Sequence, residues 1–407
     1  DADVPTLRAL KGVSLAWRAR ARRVLCARLC ARVGLPLTSN LVEVTELDLS
    51  DSRAAGRLFA DAADASRWLP NLAKVTGLGG FEVDVAALRR VASSGDYSYP
   101  MAGVRACIRG EGEAPMEVLL AACVLRDGEA RVPVNAFRDD TSITSIALPA
   151  GLTSLGVGAF AGCSSLTSIE LPAGLTSLGE SAFAGCSSMT SIELPAGLTS
   201  LGDYAFCDCS SLTSIELPAS LTSIGGFAFQ GCSSLTSIAL PAGLTSLGNG
   251  AFYGCSSLTS IELPAGLTSI GEYVFFGCSS MTSIALPAGL TSLGGFAFYG
   301  CSSLTSIELP AGLTSIGEYV FFGCSSMTSI ALPAGLTSLG GFAFYGCSSM
   351  TSIELPAGLT SLGNGAFYGC SSLTSIELPA GFDDSILRSA KVPPSAILRF
   401  GPAVDVD

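Results

Sequence analysis

The side chains that could carry chemistry in this 407-residue chain are its 15 cysteines and 34 acidic residues, because the sequence contains no histidine. Histidine is the usual general base of hydrolases and a common ligand of catalytic zinc. Its absence removes Ser–His–Asp triads, histidine acid–base chemistry and most catalytic zinc sites. The composition therefore predicts a protein that is not an enzyme and that binds no cofactor or metal.

Ten of the cysteines recur every 23 residues. Such a column could bind a metal or form disulfides, but equivalent positions of stacked repeats have parallel Cβ vectors, which do not suit disulfide geometry. The column also contains no CxxC pair. We therefore predict buried, reduced thiols that act as small hydrophobic side chains, and the odd total of cysteines favours a reducing compartment such as the cytoplasm. The column consists of Cys163, Cys186, Cys209, Cys232, Cys255, Cys278, Cys301, Cys324, Cys347 and Cys370.

A second column is acidic, with alanine alternating in its later part. Stacked carboxylates about 5 Å apart repel one another unless a cation or a basic partner lies between them. The column is either a solvated acidic face or a surface that binds a basic partner or, weakly, a cation; an open face does not suit a glycosidase pair. Its members are Glu170, Glu193, Glu216, Ala239, Glu262, Ala285, Glu308, Ala331, Glu354 and Glu377.

Aromatic and threonine residues recur at the same period. The aromatic columns indicate either ring-on-ring packing or an exposed patch that binds a partner, and the threonine columns, such as Thr144 to Thr374, either favour β-structure or resemble the regular hydroxyl faces of ice-binding proteins. One aromatic column contains Tyr253, Phe276, Tyr299, Phe322, Tyr345 and Tyr368, and the column beside it contains Tyr204, Phe227, Tyr273, Phe296, Tyr319 and Phe342.

The element that must position these columns is a 23-residue coil. Residues 163–185 read CSSLTSIELPAGLTSLGESAFAG, and the LxxLxL spacing predicts that Leu166, Ile169 and Leu171 point inward from one short strand. Pro172 to Gly174 predict a turn, followed by a second extended piece and an inward Phe183. One coil buries too few apolar side chains to offset the entropy of ordering it, so the coils must stack in register. The fold class is a predominantly β solenoid of about ten and a half coils with a helical N-terminal portion.

The coils resemble the leucine-rich repeats of the BspA type, which share the pattern LxxIxLPxxLxxIGxxAFxxCxx. The resemblance covers about 240 residues and implies a leucine-rich repeat fold. Ser220 in place of the turn glycine and Asp140 in the first cysteine position depart from the pattern. Such arrays occur in adhesins and surface antigens, so the resemblance implies little about a specific ligand.

The charge of the repeat region limits its partners. Residues 140–380 contain 13 acidic residues and no lysine or arginine. A surface without cations cannot neutralise phosphates, which argues against nucleic acid and anionic membranes. No apolar run approaches the roughly 20 residues of a membrane-spanning helix. We therefore expect a protein partner, no nucleic acid and no membrane insertion.

The segments on either side differ in composition. Residues 1–40 predict a basic amphipathic helix, which is either an ordinary capping helix with a solvated arginine face or part of an F-box. LRALKGVSLAWRARAR resembles the second half of an F-box, which implies that Trp17 is an adaptor-facing or module-core residue. Residues 41–139 resemble longer, conventional leucine-rich repeats with an N-terminal cap, because LVEVTELDLS and LPNLAKVTGL recur 28 residues apart. The BspA-type array then occupies residues 140–382, and residues 383–407 predict a C-terminal cap and tail.

Together these patterns favour a non-enzymatic protein-interaction scaffold that binds its partner along the solenoid face. Two alternatives stay open: an F-box-type substrate receptor of a ubiquitin ligase, and an ice-binding or surface-adhesion protein. The candidate contact residues are Glu170, Glu193, Glu216, Glu262, Glu308, Glu354, Tyr253, Tyr299, Tyr345, Tyr368 and Trp17.

Overall fold

The structure is a computed structural model that describes residues 46–48, 74–78, 81–84, 108–109, 131–148, 151–378 and 385–400. The chain divides into two compact units: residues 1–136 with 148–153, and residues 137–147 with 154–407. The predicted N-terminal helix lies outside the described residues.

The first unit contains a four-stranded sheet. Its strands are β1 (Glu46–Asp48), β2 (Lys74–Leu78), β3 (Phe81–Asp84) and β4 (Ile108–Arg109), in the order β1-β2-β3-β4. Strand β1 pairs parallel to β2, with Glu46 opposite Lys74, an offset equal to the 28-residue recurrence of the sequence. The β2–β3 and β3–β4 pairs are antiparallel, and β5 (Arg131–Val132) follows in the chain.

The second unit is a solenoid of parallel strands, as the 23-residue period predicts. One line of strands and bridges runs through the Ser-Ile-Glu and Ser-Ile-Ala segments, and a second line runs through the Ser-Leu or Ser-Ile segments nine residues further on. The first line contains β6 (Ser145–Ala147), β8 (Ser168–Glu170), β17 (Ser352–Glu354) and β19 (Ser375–Leu378). The second contains β7 (Ser154–Leu155), β9 (Ser177–Leu178), β10 (Ser200–Leu201), β11 (Ser223–Ile224), β12 (Ser246–Leu247), β13 (Ser269–Ile270), β14 (Ser292–Leu293), β15 (Ser315–Ile316), β16 (Ser338–Leu339) and β18 (Ser361–Leu362).

Neighbouring coils pair in one constant register. Ser292 lies opposite both Ser269 and Ser315, so each pairing joins residues 23 positions apart. The same offset joins Glu354 to Glu377 on the first line. Because every coil has the same length, each side-chain type forms a straight column.

The solenoid core is a column of phenylalanines flanked by leucine, isoleucine and cysteine columns. Neighbouring phenylalanine rings from Phe137 to Phe367 stack with centroids 5.1–5.9 Å apart. Ten of these rings, from Phe160 to Phe367, are fully buried. Leu166 and Ile169 point inward as predicted, being 0% and 7% exposed.

The prediction that Leu171 points inward is wrong. Its side chain is half-exposed, and the adjacent Pro172 is buried in its place. Strand β8 ends at Glu170, and the backbone N–H of Leu175 donates to the Pro172 carbonyl at 3.0 Å, which closes a turn directly after Leu171. The equivalent leucine is buried near the two ends of the described array, as Leu148, Leu355 and Leu378 show.

The last described segment continues the pattern of the coils. It contains the helix α1 (Ser385–Ala390) and the strand β20 (Ile397–Phe400), and β20 pairs parallel to β19. The Phe367 N–H donates to the Ala390 carbonyl at 2.9 Å, in the way that Phe344 donates to Ala366 one coil earlier.

Candidate protein-interaction surfaces

The predicted acidic column lies on the first line of strands and faces solvent. We call this surface the acidic strand face; it comprises Glu170, Glu193, Glu216, Glu262, Glu308, Glu354 and Glu377, all of them exposed. Parallel bridges join Glu193 to Glu216 and place alanines between later members, as in the Glu262–Ala285–Glu308 series. Paired strands lie about 4.8 Å apart, so each intervening alanine roughly doubles the spacing between neighbouring carboxylates and lowers their repulsion.

Two threonine columns accompany the two lines of strands, and many of their hydroxyl groups are engaged within the solenoid. The Thr167 hydroxyl donates to the Thr144 carbonyl at 2.9 Å, and the Thr374 hydroxyl donates to the Thr351 carbonyl at 3.1 Å. The second threonine column repeats this contact, for example from Thr337 to the Thr314 carbonyl at 3.1 Å. These side chains are exposed, as predicted, but their donors stabilise the contact between coils.

The two aromatic columns form a separate surface on the turns. We call Tyr253, Phe276, Tyr299, Phe322, Tyr345 and Tyr368 the first aromatic row; its neighbouring ring centroids are 4.3–5.0 Å apart. The second aromatic row consists of Tyr204, Phe227, Tyr273, Phe296, Tyr319 and Phe342, with stacked centroids 4.7–5.3 Å apart. The rings of each row therefore stack on one another along the solenoid, as the ring-on-ring alternative predicts.

The two rows also contact each other. Tilted pairs such as Tyr273–Phe276 and Phe296–Tyr299 have centroids 6.1 Å apart. Together the rows form what we call the aromatic strip. Most of its rings are half-buried, while Tyr204 and Tyr368 are 36% and 52% exposed. Ring-on-ring packing and an exposed patch therefore occur together. The faces of the rings pack against one another, while their edges remain accessible.

The second aromatic row has an unusual backbone conformation. All six of its residues have φ between 54° and 60°. Bulky side chains rarely adopt this left-handed region, which costs about 1–2 kcal/mol per residue. The equivalent positions of the other coils are Gly158, Gly250 and Gly365, with φ of 60–64°, and Ser181, with φ of 55°. Glycine satisfies this turn without strain, so the rings are not required by the backbone.

Negative charge lies beside the aromatic strip. Exposed Asp203, Glu272 and Glu318 each directly precede a tyrosine of the second row. The Asp203 carboxylate accepts a hydrogen bond from the Gly226 N–H at 2.7 Å, which orders this turn. With no lysine or arginine in residues 140–380, these carboxylates have no cationic partner within the array.

The cysteine column is buried and reduced, as predicted. All ten column thiols are free, and each donates its S–H to the carbonyl of a core phenylalanine 26 residues earlier, as Cys324 does to Phe298 at 3.3 Å. Burial raises the pKa of Cys255 and Cys301 to about 12, so the thiolate that binds metals or attacks electrophiles is disfavoured. Within the described ranges, no group of three or more Cys, Asp or Glu residues could hold a metal ion.

The structure therefore separates the candidate contact residues into two surfaces. The glutamates lie on the acidic strand face and the tyrosines on the aromatic strip, while Trp17 lies outside the described residues. Sequence reasoning did not find the positive φ of the second row. The available signal was glycine replacing an aromatic residue at Gly250 and Gly365, a substitution that points to a left-handed position.

In the part of the chain that the structure describes, no helix is long and apolar enough to cross a lipid bilayer. The parallel coils, the stacked core columns and the constant register define a leucine-rich repeat solenoid. The BspA type leucine-rich repeat region matches residues 130–259, 199–312 and 291–389, in six copies. These matches cover more than half of the chain, which therefore belongs to the BspA-type leucine-rich repeat family.

Solved structures of bacterial leucine-rich repeat proteins are similar to this chain. A protein from Bacteroides ovatus is 34% identical with a TM-score of 0.56, over 64% of this chain and 66% of that chain. A Treponema pallidum leucine-rich repeat protein is 34% identical over 40% of this chain and 78% of its own, with a TM-score of 0.38. A leucine-rich cell surface protein from Faecalibacterium prausnitzii is 28% identical over 61% and 81%, with a TM-score of 0.42. No match was found among curated proteins.

The chain spans just under two thirds of the length of the Bacteroides ovatus protein. Proteins built from leucine-rich repeats are commonly interaction or surface proteins, because a solenoid presents extended columns of equivalent side chains.

Proposed function

We propose that this protein is a non-enzymatic scaffold that binds a protein partner along its solenoid. The observation that carries the proposal is the aromatic strip, in which accessible ring edges continue from coil to coil. Tyrosine is enriched in protein interfaces, and a contiguous patch of partly exposed rings is typical of an interaction surface.

The repetition of the array supports a scaffold rather than an enzyme. Residues 255–300 are identical to residues 301–346, so every side chain of these two coils recurs two coils later. Catalysis needs a distinct constellation of acid, base or nucleophile, and the buried thiols of the column have raised pKa values that disfavour nucleophilic attack. A binding surface, in contrast, gains area with each copy.

The threonine columns argue against the ice-binding alternative. A hydroxyl such as that of Thr305, which donates to the Thr282 carbonyl at 3.3 Å, is already committed to the coil below. An ice-binding face needs a regular set of hydroxyl groups to order water, whereas here many of them, such as those of Thr259 and Thr337, donate to the neighbouring coil. Thermal hysteresis measured at high protein concentration should accordingly be absent.

Site-specific photo-crosslinking tests the scaffold proposal. Benzoylphenylalanine is placed at Tyr299 on the aromatic strip, at Thr259 beside the acidic strand face, or at Ala311, an exposed control position in the turn after the first line of strands. After irradiation in a cell extract, we expect discrete protein adducts from Tyr299 or Thr259 above those from Ala311. Equal labelling from all three positions, or robust turnover of a substrate by the purified chain, would contradict the proposal.

A further inference from the structure

We propose that the aromatic strip binds a basic polypeptide segment in the polyproline II conformation, with a lysine or arginine at every third position. This inference rests on the proposed scaffold function and names the chemistry of its partner. The binding region is the part of the strip around Tyr273, Phe296 and Tyr319, with Glu272 and Glu318 as the groups that pair with the cations.

The backbone of the second aromatic row indicates that its rings serve a purpose other than folding. Tyr273, Phe296 and Tyr319 have φ of 58–60°, although the array uses glycine at the same turn in Gly250 and Gly365. Strained residues that the fold does not require are characteristic of functional surfaces. The rings are therefore best explained by what they contact outside the coil.

The stacking of the rings limits what that contact can be. Within the first row, Phe276 lies 4.5 Å from both Tyr253 and Tyr299, so its two faces are covered by neighbouring rings. Sugars, nucleobases and cations that bind aromatic residues need an open ring face. The interior of the strip offers ring edges and tyrosine hydroxyls instead, which suit the aliphatic stems and backbone carbonyls of a polypeptide.

The negative charge beside the second aromatic row indicates that the partner is positively charged. Glu272 and Glu318 are exposed beside the second row, and residues 140–380 contain no lysine or arginine to neutralise them. A second copy of this acidic array would be repelled, whereas a basic segment would be attracted and correctly oriented. The aliphatic stem of a lysine or arginine can lie along the ring edges while its charged end reaches a carboxylate.

The separation between the two carboxylates indicates the conformation of the bound segment. Glu272 and Glu318 are two coils apart, a separation of about 9.6 Å at the usual spacing of paired strands. Polyproline II rises about 3.1 Å per residue with three residues per turn, so every third side chain lies on one face at intervals of about 9.3 Å. Side chains on one face of a β-strand recur at about 6.7 Å, which does not match two coils.

Fluorescence anisotropy with the full chain tests the proposal. The probe is a fluorescein-labelled peptide of four Lys-Pro-Pro repeats, and the control peptide has the same composition with its lysines at alternate positions. We expect the Lys-Pro-Pro peptide to bind more tightly than the control and its binding to weaken as salt is added. Equal affinity for the two peptides would overturn the proposed register, and binding of neither would overturn the proposal itself.

Two double variants distinguish binding at the aromatic strip from nonspecific attraction between opposite charges. E272Q/E318Q should weaken binding by about tenfold, since it removes two surface ion pairs. The matched control E262Q/E308Q removes the same charge at the same two-coil separation on the acidic strand face and should leave binding unchanged. Equal losses in both pairs would contradict the proposal.

The variant Y273G/Y319G tests the rings. It places glycine where the array already uses it, and the ring of Phe227, which occupies the space of a Cβ at Gly250, shows that a neighbouring ring can fill such a gap. We expect a folded protein that has lost peptide binding. Retained binding would overturn a role for the second row. If the peptides fail to bind while Tyr299 still crosslinks to a partner, this inference fails and the scaffold proposal stands.

Discussion

The thiol of Cys278 lies 3.3 Å from the carbonyl oxygen of Phe252, 26 residues earlier in the chain. The backbone N–H of Cys255 donates to the same oxygen at 3.2 Å. The column thiol therefore adds a second donor to a turn that is already hydrogen-bonded, and it joins one coil to the coil below.

This contact predicts the effect of replacing Cys278. The variant Cys278→Ser should lower the free energy of unfolding by about 1–3 kcal/mol, because it buries a hydroxyl whose reach is shorter than that of the thiol. The variant Cys278→Ala should be milder, since Phe252 keeps the Cys255 donor. Urea unfolding followed by circular dichroism measures both values, and a greater loss in the alanine variant would contradict this account.

The buried thiols also predict sensitivity to alkali. Burial raises the pKa of the Cys255, Cys301 and Cys370 thiols from the ordinary 9.0 to about 12. Below pH 9 both folded and unfolded thiols are protonated; above it the unfolded state loses protons that the folded state keeps, so stability falls between pH 9 and 12. Each thiol contributes up to about 1.4 kcal/mol per pH unit.

Urea unfolding at pH 7, 9 and 10.5 measures this dependence. We expect little difference in stability between pH 7 and 9 and a marked loss at pH 10.5. The variant Cys255→Ala should show a shallower slope, because it removes one of the thiols that ionise on unfolding. A stability that is constant from pH 7 to 11 would show that the column is not buried.

Two aromatic side chains one position apart, Phe298 and Tyr299, should differ in their contribution to stability. Phe298 is fully buried in the core column, whereas the neighbouring Tyr299 is half-exposed on the aromatic strip. Phe298→Ala should lower the free energy of unfolding by about 3–5 kcal/mol through the cavity that it creates. Tyr299→Ala should cost less, about 1–3 kcal/mol, because it loses two stacked ring contacts at about 0.5–1.5 kcal/mol each but leaves no fully enclosed cavity. Thermal unfolding compares the two variants, and equal losses would mean that the burial of the columns has been misassigned.

Deletion of residues 301–346 tests the coil register. The deletion joins Gly300 to Cys347, which then takes the place of Cys301 opposite the Phe275 carbonyl, a contact of 3.2 Å in the intact chain. Because stability in repeat proteins is approximately a sum over coils and their interfaces, the shorter protein should fold with a moderately lower unfolding midpoint. Size-exclusion chromatography and circular dichroism check the outcome.

The same deletion bears on binding. The deletion removes Glu318 and Tyr319, so binding of the Lys-Pro-Pro peptide should fall at least tenfold. Affinity for a partner held along the whole array should fall by degrees as contact area is lost, whereas a partner held by the N-terminal segment should bind as before. Aggregation of the deletion variant would contradict the register, and complete loss of binding in a folded variant would indicate one localised site.

Sequence alone was sufficient for the parts of the structure that follow from repetition. Ten cysteines spaced by 23 residues place all equivalent residues in columns, since identical coils can share strand hydrogen bonds only when they stack without an offset. Buried Leu166, buried Ile169 and the exposed glutamates of the acidic strand face follow from that register and from the alternation of a short strand.

Tertiary structure alone decided where the strand ends and what the side chains contact in the next coil. Leu171 is half-exposed whereas the equivalent Leu355 and Leu378 are buried, and the sequence pattern does not distinguish these positions. The acceptor of the Cys278 thiol and the stacking of Tyr273 on Phe296 depend on how one coil is placed on the next. Period and polarity specify which residues form a column, whereas side-chain contacts across coils depend on distances that exist only once the coils are stacked.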